Sequence, residues 1–262
     1  MTKNEYLLRM QDDTPSLFSP KEKYMMSHTA RGKDICFARL PESEQRKMRY
    51  ENLHLSIGMK MENGMPVLAP YDGPLDYSVV PFTDRGKHKG KGEALHFFQD
   101  DWKFASVWRN LERVTHSLSK FDCLIAPDFS LYVNEDKYQQ TNRQSVYRSR
   151  FIAAYWQRCG FQVIPTASWG DVNSFRYCFD GLPEHSAIAV CGIGHDQCRS
   201  ANTLWHLAVA RLVKEKKPTT LVVYGGKQET YQQLPVKVKY IPDFINQHFR
   251  DHGKKAQIST RG

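Results

Sequence analysis

No apolar run in this 262-residue chain approaches the roughly 20 residues that a membrane-crossing helix needs, and the opening Met-Thr-Lys-Asn-Glu leads into no signal-peptide stretch. A soluble, cytoplasmic protein is therefore expected, with no membrane partner. Cysteine is sparse: Cys36, Cys123, Cys159, Cys178, Cys191 and Cys198 are scattered too thinly for a disulfide-stapled scaffold, so free thiols are expected. Acidic residues are the minority charge, 28 against 37 Lys and Arg, for a formal net charge of +9 and a pI near 9.2. A basic surface attracts phosphate backbones and releases their counterions, which points to nucleic acid or a nucleotide as partner. The same charge could serve solubility alone. Also missing are a nucleophile elbow, a complete phosphate-binding loop and a Ser-His-Asp spacing.

What is present is enough apolar residue, 40%, for one sizeable core. Residues 1–66 show short apolar groups without sustained periodicity. Residues 84–92, Asp-Arg-Gly-Lys-His-Lys-Gly-Lys-Gly, combine glycine with clustered lysine and read as a basic loop, mobile without a ligand. Residues 1–92 are accordingly taken as an N-terminal extension and basic loop that could contribute early strands, and 93–262 as the main α/β domain.

Beyond the loop, short apolar runs alternate with helical patterns, as βα units do. Strands are predicted at residues 95–99, 123–126, 161–164, 187–190, 220–224 and 236–241, with weaker ones at 67–69 and 77–80. Apolar residues at three and four residue spacing predict helices over 104–118, 142–159 and 202–216. Asn202 is a candidate N-cap, and Lys214, Lys216, Lys217 and Pro218 mark the end of the last helix. Alternating strands and helices imply right-handed crossovers and mostly parallel strands. A (β/α) barrel with an irregular N-terminal extension is expected, an open doubly wound sheet being the alternative.

In either architecture the chemistry belongs beyond the carboxyl ends of the strands. Asp100 and Asp128 each follow an apolar run and form the best pair of candidate catalytic carboxylates. They could bind a divalent cation such as Mg²⁺ or Mn²⁺ through hard oxygen ligands, or divide acid and base roles. The plain alternative is that Asp100 or Asp101 caps the following helix while Asp128 bonds its own turn. Arg148, in line with Ile152 and Tyr155, would sit beside a buried stripe. There a guanidinium needs either a phosphate or a structural pairing with Asp128, while Arg143 and Arg150 would face solvent. Trp169 and Arg176 lie in an aromatic and polar stretch suited to binding a base or sugar, whereas Phe175 and Phe179 are spaced for packing. Lys87, Lys89 and Lys91 would track a nucleic-acid backbone. Cys191-Gly-Ile-Gly-His-Asp-Gln-Cys198 offers two thiols and an imidazole without an obvious fourth zinc ligand.

Several of these residues fall in a set of motifs: His96-Phe-Phe-Gln-Asp-Asp-Trp-Lys-Phe104, Pro127-Asp-Phe-Ser-Leu-Tyr132, Asn142 with Tyr147-Arg-Ser-Arg150, Val163-Ile-Pro165 with Ser168-Trp169, and Ser174-Phe-Arg-Tyr-Cys-Phe-Asp-Gly181. Together they resemble domain-of-unknown-function family 4417, found in bacteria, phages and other mobile elements. The likeness runs from about His96 to Gly225. It implies a shared domain and a phage or mobile-element setting, and it adds Ser130, Tyr132 and Tyr147 to the candidate substrate-binding residues. It implies no mechanism. The expected function is action on nucleic acid or another phosphate-containing substrate, with metal-dependent phosphodiester hydrolysis foremost. A non-catalytic binding module for nucleic acid or protein, and a glycoside hydrolase, are the alternatives.

Overall fold

The computed structural model describes residues 52–56 and 58–243, and the chain divides into two units, Met1–Met59 and Lys60–Gly262. In the first unit the described residues form one 3-10 turn, Leu53–Ser56. The second unit begins with a hairpin of β1 (Met61–Glu62) and β2 (Met65–Pro66). Asn63 and Gly64, both at positive φ (50° and 81°), supply the two-residue turn that matches strand twist.

Eight short strands follow, all parallel: β3 (Ser78–Pro81), β4 (Glu93–His96), β5 (Cys123–Ile125), β6 (Val163–Ile164), β7 (Thr166–Ala167), β8 (Ala187–Cys191), β9 (Thr220–Tyr224) and β10 (Val238–Ile241). They form two four-stranded sheets, ordered β3-β4-β5-β6 and β7-β8-β9-β10. Pro165 alone separates β6 from β7, and it has no N–H to give a ladder. Ile164 is in register with Ile125 on one side, and Thr166 with Ala189 on the other. One stretch of chain thus changes partners at a proline and joins the two sheets. Strand order follows chain order without the reversal that defines a doubly wound sheet.

Alternate residues from these strands, among them Ala94, Cys123, Ile125, Ala189, Val222 and Ile241, pack into one buried cluster. Their neighbours Leu95, Leu124, Ile188, Val190, Leu221 and Val223 are buried as well, so the strands read as continuous apolar runs. No ladder joins β3 to β10 among the described residues. A cavity of about 260 Å³ lined by Tyr77–Val79 residues and by Lys239, Tyr240 and Ile241 lies there, and the Lys239 ammonium meets Asp76 at 2.9 Å. The architecture is a mixed α/β fold with parallel sheets, and barrel closure is not seen.

Local structure departs from the sequence reading at instructive places. Residues 67–69 form no strand; Ala69 instead exchanges two hydrogen bonds with the Gln157 side chain, each 2.9 Å. The basic loop is structured: residues Phe82–Lys87 form a 3-10 helix, and the Lys120 ammonium donates to the carbonyls of Arg85 (2.7 Å) and His88 (2.6 Å). The expected helix over 104–118 is two, α1 (Asp101–Arg109) and α2 (Leu111–Leu118), broken at Asn110 (φ −137°, ψ 51°). Helix α3 spans Glu135–Arg158, starting earlier than the apolar pattern suggests. Its polar first turn is held by tertiary contacts. Glu135 is buried and accepts from Tyr177 (2.6 Å) and Asn142 (2.9 Å), while Asp171 caps the N–H groups of Asn134 and Glu135. Helix α4 spans Arg199–Lys216 with Cys198, not Asn202, at the N-cap, and Leu207 and Arg211 point outward. The five described cysteines are free.

The largest correction concerns α3. Its buried face carries Ser149, Ile152, Ala153 and Trp156, so the arginine it takes inside is Arg150, expected to be solvated, at 1% exposure. Arg150 donates from Nε to the Asp180 carbonyl (3.0 Å), from Nη1 to Thr166 (2.8 Å) and from Nη2 to Cys178 (2.8 Å). Burial lowers its pKa to about 10, so it stays charged at neutral pH. Removing it strands two buried carbonyls and a half-buried one. Arg150→Met is expected to destabilise the fold by about 3 kcal/mol or more in denaturant unfolding, and Arg148→Met by clearly less.

Candidate active site at the strand ends

The carboxyl ends of the parallel strands converge on one hollow of about 760 Å³. Pro81, His96, Cys191 and Tyr224 are themselves the last residues of their strands, and Asp128, Ser168 and Asp243 follow theirs by two or three positions or fewer. Parallel strands bring such residues to one face, which is why side chains far apart in sequence meet here.

Asp128 is the chemical centre. The Ser168 hydroxyl donates to its Oδ1. Burial raises the carboxyl pKa to about 6, the Ser168 bond pulls it down, Asp101 nearby pushes it up and the Arg150 guanidinium pulls it down. Asp101 in turn accepts from the Ser130 N–H (3.1 Å) and hydroxyl (2.9 Å), which fastens the start of α1 to the loop after β5. His96 is buried, and desolvation lowers its pKa to about 3, so the ring is neutral. Its Nδ1 accepts from the Phe98 N–H (3.2 Å), which assigns the remaining proton to Nε2. His195, at 4% exposure, has an edge in the wall, and its Nδ1 donates to the Gly192 carbonyl (2.6 Å). Gly192 and Gly226 are required by close approach: a Cβ on either would meet the Tyr231 hydroxyl at 2.2 and 2.0 Å.

The sequence matches the family described as domain of unknown function DUF4417 over residues 57–242. The chain belongs to that family. It is 38% identical over 176 residues to the Gene 1 protein of Mycobacterium phage L5, covering 66% of this chain and 76% of the phage protein. It is 37% identical over 153 residues to the Gene 1 protein of Mycobacterium phage D29, covering 58% of this chain and 56% of that protein. The match therefore spans little more than half of the D29 relative. No solved structure matches.

Of the residues singled out in sequence, this DUF4417 domain gathers Asp100, Asp128, Ser130 and Trp169 around the hollow. Asp100 makes no side-chain cap to α1; it pairs with Lys103 at 2.8 Å. Arg148 lies behind the wall, its guanidinium 4.4 Å from the centre of the Phe129 ring. Tyr147 packs against Trp108 and Phe151, and Arg176 donates to the Asn173 carbonyl of its own turn, neither of them lining the hollow. Tyr132 is half exposed and does not line the hollow, its ring lying against Tyr138. Lys87 pairs with the lining residue Asp84 at 2.8 Å, whereas Lys89 and Lys91 lie on the way to the amino end of β4, the far end of that strand. Phe179 is core, stacked on Phe175 at 6.0 Å. The thiols of the Cys191 to Cys198 stretch are separated by burial. Cys191 lies against the strand ends with its pKa pushed up to about 12, and Cys198 is exposed beside Ser200.

Among the described residues no three His, Cys, Asp or Glu side chains converge as a cation site, Asp100 and Asp128 included. These residues do not fit an Mg²⁺ or Mn²⁺ ion held by the protein alone. His96 and Trp205 are lining residues that sequence reasoning did not select, and His195 was weighed only as a zinc ligand. His96 was not legible, because the strand predicted at residues 95–99 lies at Glu93–His96, which moves His96 from its interior to its last position.

The raised pKa of Asp128 carries a stability consequence. Between about pH 4 and pH 6 the folded state holds a proton that the unfolded carboxyl, with a pKa near 3.9, releases, so stability falls as pH rises through that window. Asp128→Asn removes the buried charge. In urea unfolding it should gain up to about 2 kcal/mol over wild type at pH 8 and nothing at pH 4.

Proposed function

We propose that the strand-end hollow is a hydrolytic site acting on a nucleic-acid or nucleotide substrate in a phage or mobile-element setting, with Asp128 as the acid–base group. The observation that carries this reading is a carboxyl bonded to Ser168 in an open cavity of about 760 Å³, its pKa pushed up to about 6 by burial. The strand arrangement is read as a (β/α) barrel left unlaced between its first and last strands, a geometry in which the carboxyl-end hollow is the usual place for chemistry. Ionised Asp128 would take a proton from a water attacking the substrate, and the protonated form would return it to the leaving oxygen or nitrogen. Ser168 orients the carboxylate. Neutral His96 offers an N–H donor.

Phosphodiester cleavage is one bond this site could serve. It builds negative charge, and the hollow meets that charge with Asp84, Asp100, Asp128 and Asp243 against Lys103, itself paired with Asp100. That lining favours a second reading, hydrolysis of a glycosidic bond, whose oxocarbenium-like transition state gains positive charge next to carboxylates and the Trp169 ring. No step is assigned to Mg²⁺ or Mn²⁺.

Purified protein would be incubated with single- and double-stranded DNA and RNA, nucleotides and nucleosides, in Mg²⁺, in Mn²⁺ and in EDTA. Product is expected from wild type, with a rate that rises through about pH 6 as Asp128 ionises, and a loss of about 100-fold or more in Asp128→Asn. Phosphate-terminated fragments would identify a phosphodiesterase, and free base or reducing sugar a glycosidase. If Asp128→Asn matches wild type, or no substrate turns over, the hydrolytic reading is wrong and a binding module takes its place.

A further inference from the structure

Trp102 is 75% exposed and Tyr132 49% exposed, although large aromatic rings are usually turned inward. Both are flanked by residues that line the hollow: Asp100 and Lys103 around Trp102, Leu131 and Val133 around Tyr132. The hydrogen bonds from Ser130 to Asp101 tie these two stretches together, so the segments that carry the rings meet beside the opening. Val133, 68% exposed, belongs to the same lip. Lysines are interleaved with the rings. Lys103 Nζ is 5.5 Å from the centre of the Trp102 ring, and Lys137 Nζ is 5.1 Å from that of Tyr138, whose ring lies 5.4 Å from Tyr132.

Resting on the nucleic-acid reading above, we propose that this lip is a stacking platform for single-stranded nucleic acid. Trp102 and Tyr132 take up unpaired bases, and Lys103 and Lys137 face the backbone of the strand as it enters the hollow. Exposed rings beside ammonium groups, in a chain of net charge +9, have the chemistry of a single-strand site. A protein-binding core of this size would be depleted in lysine. A duplex keeps its bases stacked on one another and offers these rings no free face.

The test is fluorescence anisotropy with the full chain and labelled 20-mers of dT, rU and a duplex across a salt series. Trp102→Ala and Tyr132→Ala should each weaken single-strand binding about 5- to 50-fold without shifting the unfolding midpoint, and Trp102→Phe should recover most of the loss. Lys137→Ala should lower the salt slope by about 0.7. The dT and rU arms distinguish DNA from RNA. The platform is overturned if no single strand binds, if Trp102→Ala binds as wild type, if the duplex shows the same dependence on Trp102, or if Trp102→Ala changes the sedimenting mass in place of affinity. Binding that needs Trp102 in a protein without turnover sinks only the hydrolytic reading, and Asp128-dependent turnover indifferent to Trp102 sinks only the platform.

Discussion

A single buried guanidinium organises the chemical end of this fold. Arg150 holds the carbonyls of Thr166, Cys178 and Asp180, and so pins the chain just after Pro165 to the loop that closes back on α3. The Thr166 hydroxyl bonds the Ala126 carbonyl at 2.7 Å, two residues before Asp128. Ser168 follows two residues after Thr166. The meeting of Ser168 with Asp128 therefore depends on where Arg150 clamps the strand. Its charge acts as well, opposing the rise in pKa that burial imposes on Asp128. A neutral side chain of similar size would leave the carbonyls unsatisfied and the carboxyl without that cation.

Charge is divided between surface and site. The chain as a whole is basic, while the hollow is lined by four aspartates and one lysine. Under the proposed function, the net positive charge would draw a polyanion toward the protein, and the acidic hollow would select which part of it enters. Uncharged or cationic groups, a base or a sugar, are favoured inside over a bare phosphate.

The match to the DUF4417 family extends over the parallel strands, residues 57–242, and leaves the ends of the chain outside it. Most of the strands were legible because both faces of a parallel sheet are buried, which writes an uninterrupted apolar run into the chain; residues 220–224 match without adjustment. The start of α3 was not legible. Glu135 to Thr141 carry no apolar period, and their helix is held by Glu135, Asn142, Tyr177 and Asp171, partners up to 42 positions apart. The exchange of Arg148 for Arg150 has the same origin. Residues 149–154 are all buried, so the helix is enclosed on every side there and no single apolar stripe marks which arginine lies inside.

The amino-acid sequence by itself determined that the strands are parallel and buried, that helices cross between them, and that Asp100, Asp128, Ser130 and Trp169 stand beyond strand ends. These follow from short-range periodicity and from the rule that parallel connections return on the same side. Only tertiary structure decided that Pro165 joins two sheets, that Arg150 and not Arg148 lies beneath the site, and that Asp128 titrates near pH 6. Each of those depends on distances between residues far apart in the chain, and desolvation and hydrogen bonding have no period along a sequence.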